Sequence, residues 1–65
     1  MKITWDAKAK AVYIQLVEEE RRHWKTVPLL SGGQTGEINV DYDTSGEVTG
    51  IEILNVQAEP TIERL

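Results

Sequence analysis

Apolar side chains recur at every second position through most of this chain, the period of a strand with one buried face. Ile3 and Trp5 alternate with Lys2 and Thr4 and predict a short first strand, ended by Asp6. The connection Asp6-Ala7-Lys8-Ala9-Lys10 is too short for an independent helix. Ala11 to Val17 carries the strongest strand pattern, with Val12, Ile14 and Leu16 on one side and Ala11, Tyr13 and Gln15 on the other. Glu18-Glu19-Glu20-Arg21-Arg22 reads as a solvated loop. Trp24 to Leu29 predicts a third strand with Val27 and Leu29 on one face. Pro28 lacks a ladder donor, so that strand belongs at an edge or ends there. Ser31-Gly32-Gly33-Gln34-Thr35-Gly36 is a flexible connection. Glu37 to Asp43 alternates cleanly with Ile38, Val40 and Tyr42 inward, and a tight turn at Thr44-Ser45-Gly46-Glu47 leads into a partner strand from Val48 to Leu54. Gly50 interrupts that strand, and a bulge there lets Val48 share the inner face with Ile51 and Ile53.

These elements predict an all-β fold, an antiparallel meander of about five strands over residues 1–54, followed by a tail at residues 55–65. In the tail, Pro60, Ile62 and Leu65 are spaced for a short C-terminal helical turn. Ile3, Trp5, Val12, Ile14, Leu16, Val27, Leu29, Ile38, Val40, Tyr42, Val48, Ile51 and Ile53 are the candidate core. A single sheet leaves one apolar face in water unless something covers it, and full burial is worth roughly 1.5–3 kcal/mol for each large side chain. With no substantial helix to serve as cover, the expected one is a second copy packed face to face, a homodimer.

Composition narrows the partners. Sixty-five residues make one domain, and domains this small usually need reinforcement. Cysteine is absent and His23 is the single histidine, which excludes disulfides, thiolate metal sites and histidine-rich ones. Eleven acids against seven bases give a net charge of −4, which disfavours nucleic acid and favours basic protein partners or cations. No apolar stretch is long enough for a membrane span, and Met1-Lys2-Ile3-Thr4-Trp5-Asp6 carries no apolar signal region, so the expected compartment is the cytoplasm.

The most specific spacing for chemistry is Asp41, Asp43, Ser45, Gly46 and Glu52, which occupy positions 1, 3, 5, 6 and 12 of a calcium-loop pattern. Calcium wants several hard oxygen ligands around one point, whereas here both flanks alternate as strands and Asp43 and Ser45 equally suit a turn. Asp6, Asp41, Asp43 and Glu52 could form an acidic cluster for acid–base work if burial raised one of them. Lys2, Lys8, Lys10 and Trp5 suggest a basic-aromatic patch, set against the overall acidity. Ser31-Gly32-Gly33 lacks the Lys of a phosphate loop. His23 reads as an exposed loop residue or a pH-sensitive contact. Tyr13, Trp24 and Pro28 are the candidate interface residues, with Trp24 as anchor.

Two segments, Asp6-Ala7-Lys8-Ala9-Lys10-Ala11-Val12-Tyr13-Ile14 and Val40-Asp41-Tyr42-Asp43-Thr44-Ser45-Gly46-Glu47-Val48-Thr49-Gly50-Ile51-Glu52-Ile53-Leu54, resemble the domain-of-unknown-function family DUF2283. These are small proteins of bacteria, archaea and phages, whose pattern runs from an Asp through an Ala-x-Ala-x-Tyr-Ile strand to an Asp-x-Asp-x-x-Gly turn and Gly-Ile-Glu-Ile-Leu. Lys10 departs from the acid usual there, which weakens any site pairing that acid with Asp6, and the tail after Asn55 is longer than typical. The resemblance implies a β-rich fold and no established activity. Members often sit beside genes for small RelE-like toxins, which implies an antitoxin-like role for some. The expectation is therefore a non-enzymatic, acidic protein-interaction module, a homodimer, antitoxin-like or a phage accessory protein. The alternative is a divalent-metal-binding or acid–base enzyme centred on Asp41, Asp43 and Glu52.

Overall fold

The computed structural model describes residues 1–30 and 36–63. Its five strands are β1 (Lys2–Asp6), β2 (Ala11–Gln15), β3 (His23–Leu30), β4 (Glu37–Asp43) and β5 (Val48–Leu54). All neighbours are antiparallel in one sheet of order β1-β2-β5-β4-β3. The expected antiparallel all-β architecture is present, and the order shows how it is assembled. A β1–β2 hairpin and a β3–β4–β5 meander join along β2 and β5, so residues 16–22 carry the chain from the middle of the sheet to its far edge.

Short polar side chains close the turns. Asp6 Oδ1 accepts from the backbone N–H of Lys8 and of Ala9, both at 3.0 Å, and Lys10 completes that turn with a left-handed φ of 53°. Between β4 and β5, Gly46 takes a φ of +88°, which glycine adopts without a Cβ clash. The Gly46 N–H donates to the Asp43 carbonyl at 3.0 Å.

Register assigns the faces. Ile3 lies opposite Ile14 and Trp5 opposite Val12, while Val12 and Ile38 flank Ile53 and Ile14 and Val40 flank Ile51. Val27 lies opposite Val40. Cross-strand partners share a face, so these side chains form one apolar surface. Where Asp41 faces Gly50 and Tyr42 faces Val48, Thr49 is the extra residue, and this bulge returns Val48 to the apolar side as expected.

Pro28 lies on an edge strand, as its missing donor requires. Two irregularities in β3, at Trp24 and at Leu29, alter the expected third strand. Leu29 is ejected to 68% exposure and Leu30 takes the place opposite Ile38, so Leu29 is not a core residue. Leu16 and Val48, beyond or at the ends of their strands, are also exposed rather than core. Among the described residues, only Val12 and Val40 are buried apolar side chains, each 5% exposed, and no large side chain is fully buried. The core is thus a thin band along the centre of one face.

Residues 55–63 continue without a helical turn, tied at their start by the Val56 N–H donating to the Lys10 carbonyl at 2.9 Å. The expected flexible connection falls mainly on residues 31–35, and Leu65 of the expected turn is at the terminus; both lie outside the described residues. Among the described residues, no helix is long and apolar enough to cross a membrane.

Candidate functional site

Alternation that sends Ile38, Val40 and Tyr42 to the apolar face sends Glu37, Asn39, Asp41 and Asp43 to the other. Asp6 of β1 and Glu52 of β5 join them, so all five carboxylates of the strands lie on one side. The opposite face bears one charged side chain at a paired position, Lys25, opposite Tyr42. Its ammonium sits 4.1 Å from the centre of the Trp24 ring.

The polar face is held by a lateral network. Tyr13 on β2 reaches over β5 and donates its hydroxyl hydrogen to Asp41 Oδ2 on β4 at 2.7 Å. It crosses at Gly50, where an added Cβ would overlap the tyrosine hydroxyl and lie 3.1 Å from ring carbon Cε2. Gly50 is buried because the ring covers it. Burial first, and then the bond to Asp41, push the Tyr13 hydroxyl up to about 12. Thr26 Oγ1 on β3 donates to Asp41 Oδ1 at 2.5 Å, and His23 Nε2 lies 3.0 Å from the same hydroxyl oxygen. Asn39 Nδ2 donates to Glu37 Oε2 at 2.8 Å and to Glu52 Oε1 at 3.2 Å.

Asp43 is the buried carboxylate, 3% exposed. Its Oδ1 accepts from the Ser45 hydroxyl at 2.7 Å and from the N–H groups of Ser45 and Glu47, both at 2.9 Å. Its Oδ2 accepts from Arg21 Nη1 at 2.9 Å. The Ser45 hydroxyl first, then the Glu47 amide, hold its pKa down at about 2. Arg21 also donates to Glu47 at 2.7 Å and to Glu19 at 2.9 Å, and these bonds, Glu47's foremost, raise its pKa. One guanidinium thus clips the β2–β3 connection to the β4–β5 turn.

This geometry separates the residues singled out for calcium. Asp43 and Ser45 are bound to each other inside the turn, Asp41 serves Tyr13 and Thr26, and Glu52 is bonded to Asn39. Among the described residues, no group of three or more His, Cys, Asp or Glu side chains is placed to hold a metal ion. Asp6 lies at the β1–β2 turn, its Oδ1 taken by backbone amides. A shallow cleft of about 440 Å³ opens beside Tyr13, with Asp6 and Glu52 both in its lining together with Thr4, Trp5, Ala9, Ala11 and Leu54, and neither His nor Lys among its walls. Of the proposed acidic cluster it brings together these two and leaves out Asp41 and Asp43. Of the interface candidates, Trp24 and Pro28 are exposed on the edge strand β3, Trp24 at 55%, whereas Tyr13 is committed to the polar network. Lys2, Lys8 and Lys10 are exposed around the first hairpin, and Trp5 belongs to the apolar face.

Sequence reasoning missed Arg21, placing it in a solvated loop, and missed the function of Gly50. A glycine within a strand, with a tyrosine on another strand, is the signal that an aromatic ring lies over the gap.

Fold and surfaces together define a small single-sheet all-β protein with one self-bonded carboxylate face and one half-buried apolar face. The model of the family described as "Protein of unknown function (DUF2283)" matches residues 2–57, and the chain belongs to that family. No curated protein matches the chain. No solved structure matches it either.

Proposed function

We propose that this chain is a non-enzymatic protein-interaction module whose docking surface is the apolar face of its sheet. The observation that supports this most is the division of the sheet, with apolar partners on one side and all five strand carboxylates on the other. Among the described residues Val12 and Val40 are the buried apolar side chains, and Ile3, Trp5, Ile14, Ile38, Ile51 and Ile53 are half-buried, so the remaining exposed part of that face stands to gain from a cover. On the polar side, Asp41, Asp43, Glu37 and Glu52 are each bonded within the sheet, which favours a structural use of these acids over acid–base chemistry.

Two cellular settings suit such a module: an antitoxin-like subunit that engages a basic protein, or a phage accessory protein within an assembly. In the first, the basic protein would meet an edge strand or the tail, away from the apolar face, with Glu18, Glu19 and Glu20 complementing its charge.

Trp5 reports on the docking face directly, since it lies opposite Val12. In a Trp24→Phe background it is the single tryptophan of the chain. Blue-shifted Trp5 emission, shielded from iodide in the purified protein or after mixing with the products of neighbouring genes, is the expected result. Red-shifted, freely quenched emission in both samples, from a chain that still melts cooperatively, would overturn the reading.

A further inference from the structure

We infer that the occupant of the apolar face is a second copy of this chain, stacked so that the two sheets form a sandwich. This rests on the reading of that face as a docking surface and names the partner.

Charge is the first argument. Two copies at −4 each repel in most orientations. Stacking by the apolar faces turns Asp6, Glu37, Asp41, Asp43 and Glu52 of each copy outward. Packed sheets lie about 10 Å apart, and with a side-chain layer on each outer side the two acidic faces are roughly 20 Å apart, about twice the screening length at physiological salt. The apolar face itself selects against a charged partner: at its paired positions it presents Lys25 alone, near an edge. A basic surface would find no carboxylate there, and an acidic one would find a single ammonium already stacked on Trp24. The surface it matches is uncharged and apolar, which is its own description, and a two-fold pair needs a patch that matches itself.

Area is the second argument. Five strands at about 4.8 Å spacing and about 20 Å length give a face of roughly 500 Å² in projection, and side-chain relief raises this toward the roughly 800 Å² per partner of a stable interface. Central Ile51 and Ile53, with the half-buried Ile14 and Ile38 beside them, would form its middle, over Val12 and Val40, which are already buried. The edges are poorer joining surfaces. β3 is broken by two irregularities and contains Pro28, which blunts strand-to-strand addition, and β1 is five residues long.

Sedimentation equilibrium of the full chain from micromolar to millimolar concentration is the first test, with a rise from 7.3 kDa to twice that mass expected. In mixed samples of isotope-labelled and unlabelled chains, interchain contacts among the methyls of Ile38, Ile51 and Ile53 locate the interface. Ile51→Lys is expected to return the mass to one chain. Because that variant risks unfolding, Trp24→Ala serves as the edge control and is expected to stay dimeric. A single-chain mass throughout, with Trp5 shielded only by another gene's product, overturns the second copy and leaves the docking face standing. A single-chain mass with Trp5 exposed in every sample overturns both. A dimer that Trp24→Ala dissociates, without interchain methyl contacts, overturns the stacked geometry.

Discussion

Replacing Gly50 by alanine inserts one methyl group beneath the Tyr13 ring, and the consequence follows from the packing at that point. An alanine Cβ would overlap the tyrosine hydroxyl, so the ring must lift and its 2.7 Å bond to Asp41 is lost. Forced repacking of this kind costs about 1–3 kcal/mol, and losing one part-buried hydrogen bond costs about 1 kcal/mol more. Against that, alanine is favoured over glycine within a strand by roughly 0.5–1 kcal/mol. The net expectation is a destabilisation of about 1–3 kcal/mol, or a fall in Tm of roughly 5–20 °C for a domain of this size. Thermal melts at one fixed protein concentration measure it, since any association makes Tm depend on concentration. The diagnostic step is the double-mutant cycle with Tyr13→Ala. With the ring gone, Gly50→Ala should be neutral or stabilising by up to about 1 kcal/mol, because only the propensity effect remains. In a Tyr13→Phe background the ring is still present, so Gly50→Ala should remain costly. An equal penalty with and without the aromatic ring would refute the claim that Gly50 exists to make room for it.

Asp43 makes stability sensitive to acid. Its pKa lies at about 2 in the folded chain against an ordinary 3.8, so its contribution is present above pH 3.8 and is lost as pH falls through about 2. Asp43→Asn should lower Tm at neutral pH and flatten its pH dependence in that window; a parallel decline in both proteins would count against the assignment. Tyr13 titrates in the opposite direction. Its pKa is raised from 10.0 to about 12, so its contribution is full below pH 10 and lost as pH rises through 12, and Tyr13→Phe should remove a tyrosinate absorbance step near pH 12. Calcium at millimolar concentration should leave Tm and calorimetric heats unchanged, because Asp43 and Ser45 are already satisfied within the turn. A saturable heat abolished by Asp43→Asn would restore the calcium-loop reading.

The five strands and their inner faces were legible because period-two alternation is a local property, and Val40, Ile51 and Ile53 fall where alternation puts them. The bulge was legible too, although the inserted residue is Thr49 and its neighbour Gly50 has a separate task. Strand order was less accessible. Local pattern identifies hairpin neighbours, whereas the pairing of β2 with β5 joins segments separated by two other strands. Leu29 misled for a related reason: Pro28 marked an edge correctly, but edge strands tolerate irregularities that a chain position cannot announce. At the site, the acids were recognised and their partners were not. Asp41 is bonded to Tyr13 and Asp43 to Arg21, 28 and 22 residues away along the chain, so calcium spacing was weighed without the contacts that use up its ligands.

These long-range bonds also explain how a sheet with so little core can present a defined surface. A single layer lacks a second layer to fix the relative positions of its strands, and backbone ladders leave twist and shear soft. On the polar face, Asp41 gathers Tyr13 from β2 and Thr26 from β3 onto β4, while Asn39 links β4 to Glu52 on β5. Arg21 anchors the chain that crosses between the two halves of the sheet. Four of the five strands are therefore tied laterally by side chains on the side away from the apolar surface. Fixing that geometry beforehand would reduce the ordering that the proposed association must otherwise impose, leaving more of the apolar burial to appear as affinity. The two faces are in this sense one device: side-chain bonds among the carboxylates on one side fix the relative positions of the strands that carry the proposed docking surface on the other.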